Sequence, residues 1–386
     1  MKTIALALLI VAALAGYLLA WPTPVDPAAW HAPHSPGLTG PYAVNDKLRN
    51  LQLLAVGVGR GPEGIAVDGA GRVYAGYDDG RVIELAADGA SYRERADTHG
   101  RPLGVSVGAD GRLVVADAEN GLMEIGSKPE ATVLSSIADG GPFRCTDDAA
   151  LSADGQSVYF TDASDRYPLS DYLFDLLEHR PNGRLMRYDF ATHQTTVLMN
   201  DLYFANGVTL GPDEDYVLVN ETGAYRITRY WLKGDKAGSH DVFIDNLPGF
   251  PDNLSFNGRD RYWVALASPR DAALDALSDR PWLRKLVARL PGLLQPAPKK
   301  VSFVLGIDLN GKVVNNLQYT GQNAYAPITS VREAGPWLYF GSLSATSIAR
   351  LPLQRVLADA PPPPPGWEDA PKRPTLDRSK PPAAGI

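Results

Sequence analysis

Phe250-Pro251-Asp252-Asn253-Leu254-Ser255-Phe256, followed by Tyr262-Trp263-Val264-Ala265-Leu266, is the stretch on which the fold turns. Two adjacent oxygen-bearing side chains stand where an apolar strand begins, just after a Pro-Gly-Phe-Pro turn. Asp and Asn are ordinary turn residues. They also carry the carboxylate and amide oxygens that a hard cation such as calcium asks of a protein. Recurrence separates the two readings.

The same order of residues returns along the chain. Glu63-Gly64-Ile65-Ala66-Val67-Asp68 leads to residues 71–76 and then 80–85. Leu103-Gly104-Val105-Ser106-Val107 leads to 110–117 and 121–125. Asp147-Asp148-Ala149-Ala150-Leu151 leads to 154–162 and, after an insertion, 183–189. Asn206-Gly207-Val208-Thr209-Leu210 leads to 216–220 and 224–230. The opening at Asp252 leads through 262–266 and a second insertion to 304–313. Thr329-Ser330-Val331 leads to 337–341 and 348–351. Each unit reads as a short strand, a turn, an apolar strand and a third strand of alternating polarity. A fourth, more polar strand fits the remaining spacing, as at residues 194–199. Six such units predict an all-β, six-bladed β-propeller. Residues 51–58 precede the first unit and are expected to supply the outer strand of the last blade. Asp88, Asp110 and Asp154, each followed by Gly, read as hairpin turns.

The chain has 386 residues, 45% of them apolar and 21% charged, as folded globular proteins do. With a net charge of -7 and no basic cluster, no nucleic-acid partner is expected. The 37 glycines and 32 prolines suit many short strands joined by turns. A single cysteine, Cys145, excludes an internal disulfide framework and reads as a small buried hydrophobe. After Lys2, an uncharged apolar run from Ile4 to Trp21 approaches the length of a membrane span. It is read as an uncleaved anchor with the N-terminus cytoplasmic and the propeller exported to a periplasmic, extracytoplasmic or lumenal side. The alternative is a secreted protein whose signal is cleaved near Ala13-Leu14-Ala15. The expected layout is anchor or signal over 1–21, linker over 22–40, propeller over 41–355 and a Pro-rich tail over 356–386.

The two insertions carry the predicted helices. Residues 167–182 contain a short helix with Ser170 as its cap. Residues 270–300 contain an amphipathic helix over 281–290 with a basic face. Both fall between the second and third strands of their units, so both should overhang the face on which the first strands begin. There they can cover a pocket or pack on the rim. The basic helix can also touch a membrane surface.

Aligned two residues before each core aliphatic, the six openings place Glu63, Leu103, Asp147, Asn206, Asp252 and Thr329 in register. Innermost propeller strands surround a central channel, so these side chains converge. Asn253 and Asp148 sit one residue further on. The expected ligands of one cation are Glu63, Asp147, Asn206, Asp252 and Asn253. Three carboxylates crowded together repel without a cation between them. No Cys or His joins them, which favours Ca2+ or another divalent cation over zinc. The competing reading is that each polar residue only caps a turn. Leu103 and Thr329 are not expected to be ligands.

Several stretches together resemble the strictosidine synthase-like proteins of the calcium-dependent lactonase, paraoxonase and gluconolactonase superfamily, and within them the adipocyte plasma membrane-associated group. They are Gly61-Pro62-Glu63-Gly64, Tyr159-Phe160-Thr161-Asp162, Phe204-Ala205-Asn206-Gly207-Val208, Pro248-Gly249-Phe250-Pro251-Asp252-Asn253, Arg280-Pro281-Trp282 and Leu338-Tyr339-Phe340-Gly341-Ser342. The resemblance runs from about Leu54 to Leu353 and implies a six-bladed propeller with a calcium-like ion in its channel. The family's ligand motifs map onto Glu63, Asn206, Asp252 and Asn253. The remaining position, usually Asn, is Asp147 here. Paraoxonases carry a histidine where this chain has Leu103, and strictosidine synthase a catalytic glutamate where it has Thr329. Neither of those two chemistries is therefore expected.

The expected function is metal-dependent hydrolysis of small-molecule esters or lactones. Asp252 would double as ligand and general base, with Asp147 or Asp148 next. His99, just before the second opening, is a further candidate whose competing reading is a surface-loop histidine. The alternative function is a non-catalytic, membrane-anchored binding or scaffold propeller with a structural metal.

Overall fold

The computed structural model describes residues 2–126, 130–363, 365 and 374–377. Turn residues alternating with apolar runs produce six blades, each with a core of antiparallel strands that follow one another in the chain, and a separate two-stranded hairpin at residues 137–142. The innermost strands are Ile65–Val67, Pro102–Val107, Thr146–Leu151, Ala205–Leu210, Gly249–Phe256 and Ser330–Ala334, in blades I to VI. Each lies beside the innermost strand of the next blade, and the last lies beside the first, which closes the ring.

The core sits between blades rather than within one layer. Trp263 and Val304 of blade V pack against Leu338 and Phe340 of blade VI, and Tyr74 of blade I against Val105 and Met123 of blade II. Six aliphatic positions, Ile65, Val105, Ala149, Val208, Leu254 and Val331, are all buried, so the predicted register holds. The outer strand of blade VI comes from the N-terminal side, as expected. Gln52–Leu54 pairs antiparallel with the strand Ile348–Pro352, Gln52 opposite Arg350 and Leu54 opposite Ile348.

The Asp-Gly turns behave as hairpin turns. Gly89, Gly111 and Gly155 have φ of 77°, 82° and 68°. The preceding Asp88, Asp110 and Asp154 accept backbone N–H bonds at 2.8, 3.0 and 2.9 Å. Of the Pro-rich tail, residues 356–363, 365 and 374–377 are described, and the rest lies outside the described residues. Ala360 joins the core between blades V and VI. Thr375–Leu376 adds a parallel fifth strand to the outer strand Ser91–Asp97 of blade I.

Four α-helices are described: α1 (Lys2–Ala20), α2 (Tyr172–Glu178), α3 (Ala272–Ala276) and α4 (Pro281–Arg289). α1 is long and apolar enough to cross a membrane, and none of its residues is buried. α2 lies in the first insertion. Ser170 does not cap it: a 3-10 turn over Leu169–Asp171 leads in, and Asp171 holds the cap position without a side-chain hydrogen bond. α3 and α4 form the second insertion. α3 was not foreseen, and Asp271 caps it by accepting from the Ala273 and Leu274 amides at 2.9 and 3.2 Å.

The predicted basic face of α4 is largely used inside the molecule. Arg284 is 3% exposed and donates to the carbonyls of Leu177 and Ser278, both at 3.0 Å, and to that of Ala28. Lys285 pairs with Asp26 at 3.2 Å. Residues 22–40, read as a linker, are laid across both insertions. Val25 is buried beside Tyr167, Leu177 and Ala288, and Trp30 stacks on His179 at 3.9 Å.

Candidate active site and metal centre

The openings are shaped by interruptions of the β ladder. Pairing slips between Pro102 and Val105, Thr146 and Ala149, Ala205 and Val208, and Pro251 and Leu254. A bulge of this kind sets two residues against one and re-aims the side chains it contains. Asp147 thus lines a cleft at one end of the channel, while Asp148 lines a second cavity on the other side of the ring. Asp252 and Asn253 divide in the same way.

Glycine makes the close approach possible. Gly64, Gly104 and Gly207 directly follow Glu63, Leu103 and Asn206. A Cβ at these positions would lie 2.4 Å from the Leu103 carbonyl oxygen, 2.5 Å from the Asp148 Cα and 2.5 Å from the Asn253 Cα. Hydrogen bonds stitch the seams. The Gly64 amide donates to the Leu103 carbonyl at 3.1 Å and the Asn253 amide to the Thr329 carbonyl at 2.9 Å. Thr161 Oγ1 donates to the Asn206 carbonyl at 2.6 Å.

All six aligned residues line one cleft of about 990 Å³, including its open mouth. Glu63, Asp147, Asn206 and Asp252 supply the oxygens, and Leu103 and Thr329 complete the ring. Both insertions wall it, through Tyr172 and Leu173 on one side and Leu274 and Pro296 on the other. Phe204 and Phe250 add aromatic surface. The insertions therefore cover a pocket, as one of the expected arrangements had it. Asn253 lies one level below, and its Nδ2 donates to Glu63 Oε1 at 2.7 Å.

Three acceptors here are buried without a partner: Glu63 Oε2, Asn206 Oδ1 and Asn253 Oδ1. Buried polar atoms are almost always paired, so three unpaired acceptors together call for something with positive charge or donors to share. The acids point the same way. Burial pushes Glu63 up to about 7, with the charge of Asp148 adding to the effect. Burial also raises Asp147 and Asp252 well above the usual carboxylate range, and in both cases the next cause is the charge of Glu63. A hydrogen bond from Asn206 partly offsets the shift at Asp252. The acids cannot all ionise here without a compensating cation. Among the described residues no three His, Cys, Asp or Glu side chains gather closely enough to hold a metal alone. The unpaired amide oxygens of Asn206 and Asn253 are available to add to the acids in a donor set. Oxygen donors of mixed acid and amide type fit a hard divalent cation.

Asp148 serves differently. Its carboxylate accepts from the Ala149 amide at 2.8 Å and the Val208 amide at 2.9 Å, bracing blade III against blade IV. Burial still raises it to about 6. His99 is exposed, lies 3.3 Å from Asp97 and does not line the cleft, as a surface-loop histidine should. Cys145 is buried with Ala163 and Phe204, and burial pushes its thiol up.

Two residues escaped the sequence reading. Arg101 is buried and donates to the Gly61 carbonyl at 2.9 Å, fixing the turn that presents Glu63. Its only sequence signal was a basic residue beside an apolar opening. Tyr172 lines the cleft, and burial and then the charge of Asp252 raise its phenol.

These features define a six-bladed β-propeller with an acid- and amide-floored cleft at one end of its channel. The fold is shared with a gluconolactonase from Xanthomonas campestris (TM-score 0.56, 18% identity, covering 85% of this chain and 98% of that one). It is also shared with a calcium-binding protein, regucalcin, from Agrobacterium tumefaciens (TM-score 0.53, 13% identity, covering 78% and 90%). The family profile described as strictosidine synthase matches residues 148–235, and that described as strictosidine synthase-like, N-terminal, matches residues 40–85. The adipocyte plasma membrane-associated protein of Rattus norvegicus is 33% identical over 365 residues, 89% of this chain and 96% of the relative. Strictosidine synthase-like protein 6 of Arabidopsis thaliana is 36% identical over 321 residues, 81% and 85% of the two chains. The chain belongs to the strictosidine synthase-like family.

Proposed function

We propose that this protein is a divalent-cation-dependent hydrolase of esters or lactones, anchored by α1 with its propeller exported. The observation that carries the reading is a floor of acids and unpaired amide oxygens beneath an apolar cleft walled by both insertions. Glu63, Asp147, Asn206, Asp252 and Asn253 would hold the ion, with Ca2+ the best match to their chemistry. A bound cation supplies Lewis-acid polarisation of a carbonyl and a lower pKa for water.

The chain's own groups do the rest. Phe204, Phe250 and the leucines of the insertions bind the apolar part of the substrate and exclude water. Water adds to the acyl carbon, the C–O bond to the leaving oxygen breaks, and Asp252 carries the proton from the water to that oxygen. Asp147 is the second choice for the same task. A carboxylate beside a cation is ordinarily a weak base, so the task falls to whichever of the two acids the cation holds less closely. The similarly folded gluconolactonase and calcium-binding protein agree with this reading.

The test is hydrolysis of a panel of aryl esters and lactones by the full chain in detergent, with metal content measured in parallel. The expected result is activity lost on chelation, restored by Ca2+, and reduced at least about 100-fold in Asp252→Ala, with the fold retained by circular dichroism. Activity indifferent to both treatments sinks the metal-hydrolase reading. A second reading is a binding propeller with a structural ion. Leu103 and Thr329 favour it, since neither adds an acid or base to the ring. It predicts a bound ion, a lower melting temperature on chelation and no turnover of any ester.

A further inference from the structure

The second insertion joins two features along its length. At α4, Arg289 donates to the carbonyls of Leu18 and Trp21 at 2.9 and 2.6 Å, and Tyr17 donates to the Arg289 carbonyl at 3.0 Å. The end of α1 is thereby fastened to the insertion. Further on, Pro296, Pro298 and Lys299 line the cleft. Between these points the chain exposes large apolar side chains to solvent. Leu293 is 96% exposed and Leu294 65%, while Trp282 on the first turn of α4 is 61% exposed. Among the described residues outside α1, the other exposed apolar side chains are scattered over strands and loops, such as Val133, Val242 and Val314. Pro296 comes three positions after Leu293, a reach of at most about 11 Å. The basic residues of the insertion are largely spent inside the molecule: Arg270 and Arg284 are buried, Lys285 and Lys299 pair with Asp26 and Asp271, and Arg289 holds α1.

We propose that the turn containing Leu293 and Leu294, together with Trp282, enters a lipid surface and seats the cleft mouth against the bilayer that holds α1. Large apolar side chains exposed on a turn that is fastened to a membrane-length helix are what a lipid interface receives. The contact places the cleft where an apolar ester or lactone is dissolved, so the ligand reaches the acid floor from the lipid phase. The first statement rests on α1 remaining as an anchor, and the second on the hydrolase reading. The contact differs from the one expected of a basic helix face, because Arg284 is buried and Lys285 is paired.

The experiment uses the full chain in vesicles of phosphatidylcholine and phosphatidylglycerol. Leu293→Cys is labelled with an environment-sensitive fluorophore. Cys145 is 1% exposed and its thiol is raised, so the introduced thiol takes the label. Asp110→Cys, in a turn at the far end of the channel, is the control. The expected result is that nitroxide lipids quench the 293 label several-fold more than the 110 label, while aqueous iodide does the reverse. Iodide quenching of both labels alike overturns the proposal. So does a 293 label shielded from both quenchers, which marks a second copy or a protein partner on the turn. In the variant Leu293→Glu with Leu294→Glu, turnover of a long-chain lactone dissolved in the vesicles falls several-fold, and that of a short water-soluble ester is unchanged. An equal fall in both overturns the lipid route. If the unmodified chain hydrolyses neither, the hydrolase reading fails, and the quenching pattern still decides the contact.

Discussion

Gly207 carries no side chain, and the backbone of blade V fills the room one would take. Gly207→Ala should therefore press blades IV and V apart at the floor of the cleft. The expected cost is about 1–3 kcal/mol, read as a lower urea midpoint together with weaker Ca2+ affinity by calorimetry. Gly69→Ala, where nothing lies within 4 Å of the added carbon, should shift the midpoint little in either direction. The ring of Glu63, Asp147, Asn206 and Asp252 was legible because a repeating unit puts equivalent residues at equivalent depths. The separation of Asp147 from Asp148 was not. A bulge is a mismatch between two strands, and neither strand spells it out alone. The two acids look interchangeable in sequence, yet one faces the cleft and the other accepts from the amide of its own neighbour Ala149 and from that of Val208 across a seam.

At the scale of elements, α2 and the N-terminal segment behave as one unit. His179, at the end of α2, is stacked between Trp30 and Tyr203. Burial lowers its imidazole to about 3. In the unfolded chain it titrates near about 6.5. Between these values the unfolded state binds the proton and the folded state does not. Stability from this residue is thus complete above about pH 6.5 and falls as the pH drops toward 3. At pH 5 the loss should reach about 2 kcal/mol relative to pH 7 or above. His179→Phe, which keeps an aromatic face, should show a smaller drop in urea midpoint between pH 7 and pH 5 than the unmodified chain. The positions of both insertions were legible, since they interrupt units whose other strands are plain. Their docking was not. Arg284 is held by carbonyls of residues 28, 177 and 278, and a carbonyl has no sequence signature. A helix that looks basic along its own length can spend that charge inward.

For the whole molecule, the ring depends on a strand that comes before all six units. Leu54 is 1% exposed in the core shared by blades I and VI. Removing residues 1–58 should leave blade VI with a bare edge, seen as aggregation in size-exclusion chromatography and loss of a single thermal transition. Removing residues 1–21 should preserve both, because α1 contributes no buried residue. The propeller and its closing strand were legible from the spacing of turn signals. The docking of Thr375–Leu376 on blade I was not, since two residues in a Pro-rich tail carry no periodicity.

That closing strand also sets a clock. Arg350, which bonds to Gln52 at 2.6 Å, lies 298 residues after it. At about 5–20 residues per second a ribosome needs about 15–60 s to deliver the second partner after the first. Throughout that interval the earliest strand waits beside the emerging N-terminal helix with no mate. The vulnerable species in the life of this protein is a nascent, C-shaped array, and its survival depends on how quickly synthesis ends.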